Sequence, residues 1–240
     1  MLLASLCAPA GARAADLPLA AFQVRAPDAS YFDVEERMRR LGRPASGRDA
    51  DASRDRAICA PPARIDPIDY YVVMPSFYDD RAGWERANAP FLAFENGVTA
   101  LAADYVRTGN PCHAHALAKV LRSWAERGAL LKFDYLGNSK QAWYAIAWAA
   151  ASSGMAYSVV RAEPSLDERD KRVIEAWLAR VARKQVSHKG GPTSCCNNHL
   201  YWRGLQAAIV GVVAEDDALF QYGVRAYRSA LRDMNDDGSF

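Results

Sequence analysis

Apolar positions recur every three to four residues along nearly all of the chain after Trp84. PFLAFENGVTALAADYVRTGNP places Phe91, Phe94, Val98, Leu101 and Tyr105 on one face, with Gly109, Asn110 and Pro111 as a stop; that spacing predicts an amphipathic helix with its terminator. HAHALAKVLRSWAERGAL gathers Leu117, Val120, Leu121 and Trp124. SKQAWYAIAWAAASSGMAYSVVRAEP is apolar on most sides, which predicts a helix buried all round. SLDERDKRVIEAWLARVARKQV has Ser165 three residues before Glu168, read as a capping box, and a stripe of Val173, Ile174, Trp177, Leu178 and Val181. NNHLYWRGLQAAIVGVVAED and DALFQYGVRAYRSALRDMND follow as two more helices.

Short turns separate these six helices, so the expected architecture is all-α and built from antiparallel helix pairs. Residues 16–75 lack such periodicity. RLGRPASGRDADASRDRAICAPPARIDP is rich in Arg, Asp, Ala and Pro and is expected to be loop, in part mobile, apart from a short helix near Val34 to Leu41. DYYVVMPSFYDDRAGW is read as an extended segment lying on the body. The chain ends at Phe240 on the turn-like DMNDDGSF, as if the helical array were incomplete.

Composition narrows the function. The 240 residues are 50% hydrophobic, enough for one sizeable core. The formal net charge is +2 and Lys and Arg are scattered rather than striped, which argues against a nucleic-acid partner. No run of about 18 apolar residues predicts a membrane span. MLLASLCAPAGARAADLP has a short apolar run and an Ala-x-Ala pattern; residues 1–15 are read as a secretory signal lacking its usual positive start, which places the protein in the periplasm or outside the cell. With Cys7 removed, Cys59, Cys112, Cys195 and Cys196 remain. Three pairings are open; Cys59 with Cys112 and Cys195 with Cys196 is preferred, and the histidines of CHAH, His113 and His115, are expected to be exposed beside the first bridge.

SHKGGPTSCCNNHLYWRG crowds thiols, amides, an imidazole and aromatic rings at the start of a helix. A zinc site from His188, Cys195, Cys196 and His199 is disfavoured, because adjacent cysteines rarely reach one tetrahedral ion and no Cys-x-x-Cys spacing occurs. On bland grounds Asn197 and Asn198 are caps and Trp202 is core. The run Asn197, Asn198, His199, Leu200, Tyr201, Trp202 resembles the Asn-Asn-His-x-Tyr-Trp motif of the alginate lyase family, in particular its mannuronate-cleaving polysaccharide lyases. FDYLGNSKQAWYAIAW, AFENGVTALAADYVRTGNP and DDGSF are similar to other family segments, and the resemblance covers roughly Tyr70 to Phe240.

The resemblance implies a toroid of paired helices (an α/α barrel), here incomplete and C-terminally truncated, with the site in a cleft on one face. It implies leader 1–15, an irregular segment with a lid over 16–75, and a partial catalytic domain over 76–240. The implied partner is an acidic polysaccharide, alginate, cleaved by β-elimination without metal or cofactor by a chain read as a monomer. A uronate C5 proton is weakly acidic beside an anionic carboxylate, so that charge must be quenched, a base must take the proton and an acid must protonate the departing oxygen. By resemblance Asn198 quenches the carboxylate, and His199 is the base or a second partner of the carboxylate. The family's Tyr and Arg follow the DGxF turn and fall on no residue here.

Trp202 shares the His199 face and can stack on a sugar, whereas Tyr201 should point away. Asn197, Lys140, Tyr144 and Lys189 are further substrate-binding candidates. Trp143 reads equally as core or as a sugar platform, and Lys189 and His188, which could reach carboxylates, are more often solvated loop charges. In place of the family's lid Lys-Tyr pair the chain offers Tyr78 and Arg81. The runner-up function is a non-catalytic helical domain that binds acidic polysaccharide.

Overall fold

A computed structural model of the chain describes residues 17–42, 65–133, 140–188, 198–235 and 237–238. Among these residues, helices α1 Val34–Arg40, α2 Arg81–Thr108, α3 Pro111–Glu126, α4 Lys140–Val160, α5 Glu168–Ser187, α6 Asn198–Val213 and α7 Asp217–Asp233 follow a 3-10 turn at Leu19–Ala21, and there is no strand.

Each long helix starts and stops where local chemistry directs. Asp80 caps α2 by accepting from the Gly83 N–H at 2.8 Å. Gly109, in the left-handed region at φ 70°, ends it. Asn110 then caps α3, with Pro111 at its first position. This two-residue turn folds α2 and α3 back on each other. α2 begins before the periodic run does and passes through Pro90. Both Pro90 and Arg86, whose carbonyl loses its donor there, are exposed, a position where a helix tolerates the lost bond. The capping box expected at Ser165 is not formed. Asp167 caps α5 instead, accepting from the Arg169 N–H at 2.6 Å, while the Ser165 hydroxyl donates to Glu163 at 2.7 Å.

The pairs α2/α3, α4/α5 and α6/α7 stack side by side in two rows. The front row is α2, α4, α6; the back row is α3, α5, α7. Within the front row the helices are parallel. Tyr144 meets His199, Trp148 meets Trp202, and Gly154 lies beneath Ile209 and Val210. The back row is parallel as well: His115 bonds Ser165, Arg122 pairs with Asp170, and the Trp177 indole donates to the Ala129 carbonyl. Front and back are antiparallel, since Tyr157 meets Glu175 while Trp143 meets Gln185. All three front helices therefore present their N-termini at one end.

The core fills the space between the rows. Phe94 stacks on Trp124 with ring centroids 3.5 Å apart. Trp124, Trp143, Trp177 and Tyr157 are among its largest fully buried side chains, each contributing at least the roughly 1.5–3 kcal/mol of a buried large apolar side chain. α4, central in the front row, is buried on nearly every side, as its composition predicts.

Residues 17–42, expected as loose loop, are fastened across one end of the rows. Arg228 of α7 donates to the Leu17 carbonyl at 2.7 Å, Gln221 to the Phe22 carbonyl at 3.0 Å, and the Val24 N–H donates to Asp217 at 2.7 Å. Asp28 then pairs with Arg161 at 2.5 Å, and Ser30 bonds Ser158 at 2.9 Å. Finally α1 buries Met38 against α2. Arg161, 8% exposed, also holds Glu175 at 2.9 Å and the Val213 carbonyl at 3.1 Å. The segment from residue 65 runs extended, burying Ile68, Val72 and Met74 in alternation. It exchanges backbone bonds with Leu130 and Lys132 at 2.9 Å each.

Candidate functional site

The site forms where α4 and α6 begin. Asn198 is the first residue of α6 and is exposed. One residue on, the half-buried His199 ring lies flat on Tyr144 of α4, centroids 3.6 Å apart and planes 6° apart. One turn deeper, Trp202, 43% exposed, meets the edge of Trp148 at 6.4 Å. Lys140, the first residue of α4, is exposed one turn before Tyr144. The parallel register of the two helices brings these groups together. Residues 144 and 148 are one turn apart on α4, and 199 and 202 nearly one turn apart on α6, so two adjacent ridges align.

A buried layer supports this surface. Trp143, read equally as platform or core, is core: at 1% exposure it cannot stack on a sugar. Its ring edge touches Tyr144 at 5.4 Å and His188 at 5.4 Å. Gln185 donates to the Trp143 carbonyl at 3.1 Å. Arg203, 1% exposed, lays its guanidinium 4.6 Å from the Trp143 ring centroid and donates to the His188 carbonyl at 2.8 Å. Burial, reinforced by the Arg203 charge, pulls the His199 pKa below the ordinary imidazole value, and His188 is lowered by the same two causes. At pH 7 the His199 ring is neutral, with one nitrogen free of a proton.

Tyr201 points the other way, as its spacing predicts. Its hydroxyl donates to Asp233 of α7 at 2.6 Å, making it a strut between α6 and α7. Tyr78, 89% exposed, stands before α2 with its ring edge on Phe77. Asn197, Lys189, Cys59, Cys195 and Cys196 lie outside the described residues. His113, expected to be exposed, is 2% exposed and is a core residue of α3. Among the described residues no cluster of His, Cys, Asp and Glu suits a metal ion, and no helix is long and apolar enough to cross a membrane.

Arg203 and Trp148 were not singled out from the sequence. Trp148 had a signal, being one turn from Tyr144 in the same helix. Arg203 had one too: it is the lone charge in a helix that is mostly apolar after its first turn.

Two parallel rows of paired helices, with polar and aromatic groups at the N-terminal end of the front row, define an α/α-toroid protein. The alginate lyase family model matches residues 44–240. A polysaccharide lyase of Stenotrophomonas maltophilia is 33% identical over 79% of this chain and 59% of its own. An alginate lyase of Pseudomonas syringae is 27% identical over 63% of this chain and 41% of its own. The crystal structure of alginate lyase A1-III from Sphingomonas species A1 superposes with a TM-score of 0.79 at 37% identity, over 93% of this chain and 65% of that one. A histidine-to-alanine variant of A1-III complexed with a tetrasaccharide matches with a TM-score of 0.79 over 91% of this chain and 63% of that one. This chain thus belongs to the alginate lyase family, and it spans less than two thirds of the length of each of these relatives.

Proposed function

We propose that the chain binds mannuronate-rich alginate along the front-row surface and cleaves it by β-elimination. The observation that carries this is the half-buried His199 imidazole, stacked on Tyr144, beside the exposed Asn198 amide. A uronate carboxylate placed at the start of α6 accepts from the Asn198 side chain and lies in the positive field of the α4 and α6 N-termini. Withdrawing that charge stabilises the enolate-like intermediate. The proton-free nitrogen of His199 takes the C5 proton. The electron pair left at C5 forms the C4–C5 double bond as the C4–O bond breaks, and the departing oxygen takes back the proton from the His199 imidazolium, which returns the ring to its neutral form. Tyr144 holds the His199 ring in plane, and Trp202 offers a face to a neighbouring sugar. Lys140 adds a positive charge for a further carboxylate. A relative complexed with a tetrasaccharide supports this class of ligand.

The export reading carries over. Cys112 is disulfide-bonded, which supports the Cys59–Cys112 bridge and an oxidising compartment. Recovery of the protein from the periplasm with residues 1–15 removed tests it.

The test of function is direct. The purified chain is mixed with polymannuronate and absorbance of the unsaturated uronate is followed. Product that disappears in His199→Ala supports the lyase. Binding without product supports a helical domain that holds acidic polysaccharide. Neither binding nor product overturns both.

A further inference from the structure

We propose that Arg203 is a positioning residue of the site, a buried guanidinium that locks the end of α5 to the starts of α4 and α6 and sets a positive charge one turn from the His199 imidazole. The consequence for turnover rests on the role proposed above for His199; the electrostatic claim does not.

Arg203 lies four residues after His199 on α6, so the two side chains share a helix face one turn apart. At 1% exposure its charge is shielded from bulk water, and a buried charge acts on its neighbours far more strongly than one in solvent. Its plane faces Trp143 at 4.6 Å, a cation–π contact. Its Nη1 grips the His188 carbonyl, at the residue where α5 ends. Trp143 in turn touches Tyr144, on which His199 is stacked. One side chain thus links three helix ends to the ring that is to take a proton.

Among the described residues, the groups near His199 fit this assignment. From α4 come the neutral Tyr144 ring and, one turn earlier, the Lys140 ammonium. From the end of α5 comes His188, itself held below its ordinary pKa. From α6 comes Arg203, while the Asp233 carboxylate of α7 is taken by Tyr201 on the opposite side. The described neighbours therefore supply positive or neutral partners to the imidazole. A positive charge disfavours the imidazolium, as burial does.

The experiment is an NMR titration of the His199 ring in the intact chain, with the pH profile of lyase activity alongside. Arg203→Gln keeps a donor for the His188 carbonyl and removes the charge. Its His199 pKa is expected to rise by about half a unit or more, with an unchanged far-UV spectrum, and the acid limb of kcat/KM is expected to move up with it. Arg203→Lys retains the charge and is expected to keep the His199 pKa low. An unmoved His199 in Arg203→Gln overturns the proposal; should that variant not fold, a normal His199 in Arg203→Lys does so. A shifted titration in a chain that makes no product would uphold the Arg203 role and reject the lyase role.

Discussion

Helices α6 and α7 cross in close contact at Gly204, Gly211 and Gly223, and Gly223→Ala tests what that crossing does. A Cβ built on Gly223 would stand 2.5 Å from the Ala208 Cβ and 2.8 Å from both the Ala208 Cα and the Gly204 carbonyl oxygen. Carbon atoms rest near 3.5–4.0 Å. Two of these three neighbours are main-chain atoms, so no side-chain rotation relieves the clash, and α7 must lift by about 1 Å. Overpacking of this kind costs about 3 kcal/mol, at the upper end of its usual range. Alanine recovers about 1 kcal/mol of helix propensity. The net loss is about 2 kcal/mol, a fall in Tm of about 4–8 °C for a chain of this size. Gly97→Ala is the control. The same propensity is gained, but the added methyl meets the Cδ1 tip of Ile65, which can rotate away. Its Tm is expected within about 2 °C of the parent. Both variants are compared by thermal unfolding at one pH. A Gly223→Ala chain melting at or above the parent, or Gly97→Ala falling as far, would refute the close-approach account of this crossing.

Glu95 on α2 is raised to about 7 by burial. Its folded pKa exceeds its unfolded one, so the folded state holds the proton more tightly, and stability falls as pH rises from about 4.5 to about 7. Glu95→Gln should therefore melt near the parent at pH 4 and clearly above it at pH 8, by at most about 3 kcal/mol; equal melting at pH 8 rejects the assignment. Arg161→Met takes the cation from the largely buried Glu175 carboxylate and leaves it the Tyr157 hydroxyl as its donor. A loss of about 3–5 kcal/mol is expected in urea unfolding, and a loss below about 1 kcal/mol would show that the network is not coupled.

Periodic segments were legible because one rule, the burial of a stripe, governs them. Phe91, Phe94, Val98, Leu101 and Tyr105 are all buried, and so are Ile174, Trp177, Leu178 and Val181. Residues 17–42 escaped because their order comes from single polar bonds to helices far along the chain, which leave no period. The start of α2 escaped because Pro90 reads as a boundary, whereas an exposed helix face tolerates the lost bond. In the site, His199 was singled out by resemblance to the family motif, and spacing put Trp202 on the same helix face. The burial that makes Trp143 core and His199 neutral depends on the α4/α6 register, which neither helix encodes alone. The Ser165 box failed because the Glu163 carboxylate took its hydroxyl.

The fastening of residues 17–42 also bears on how the chain matures. Val24 meets Asp217 across 193 positions, and Leu17 meets Arg228 across 211. Loop closure over such separations is slow and entropically demanding. The Leu17–Val24 stretch therefore gains these anchors only once α7 is present. Until then the segment is held only by its nearer bonds to Ser158 and Arg161, and the polypeptide offers chaperones and proteases a long interval of access.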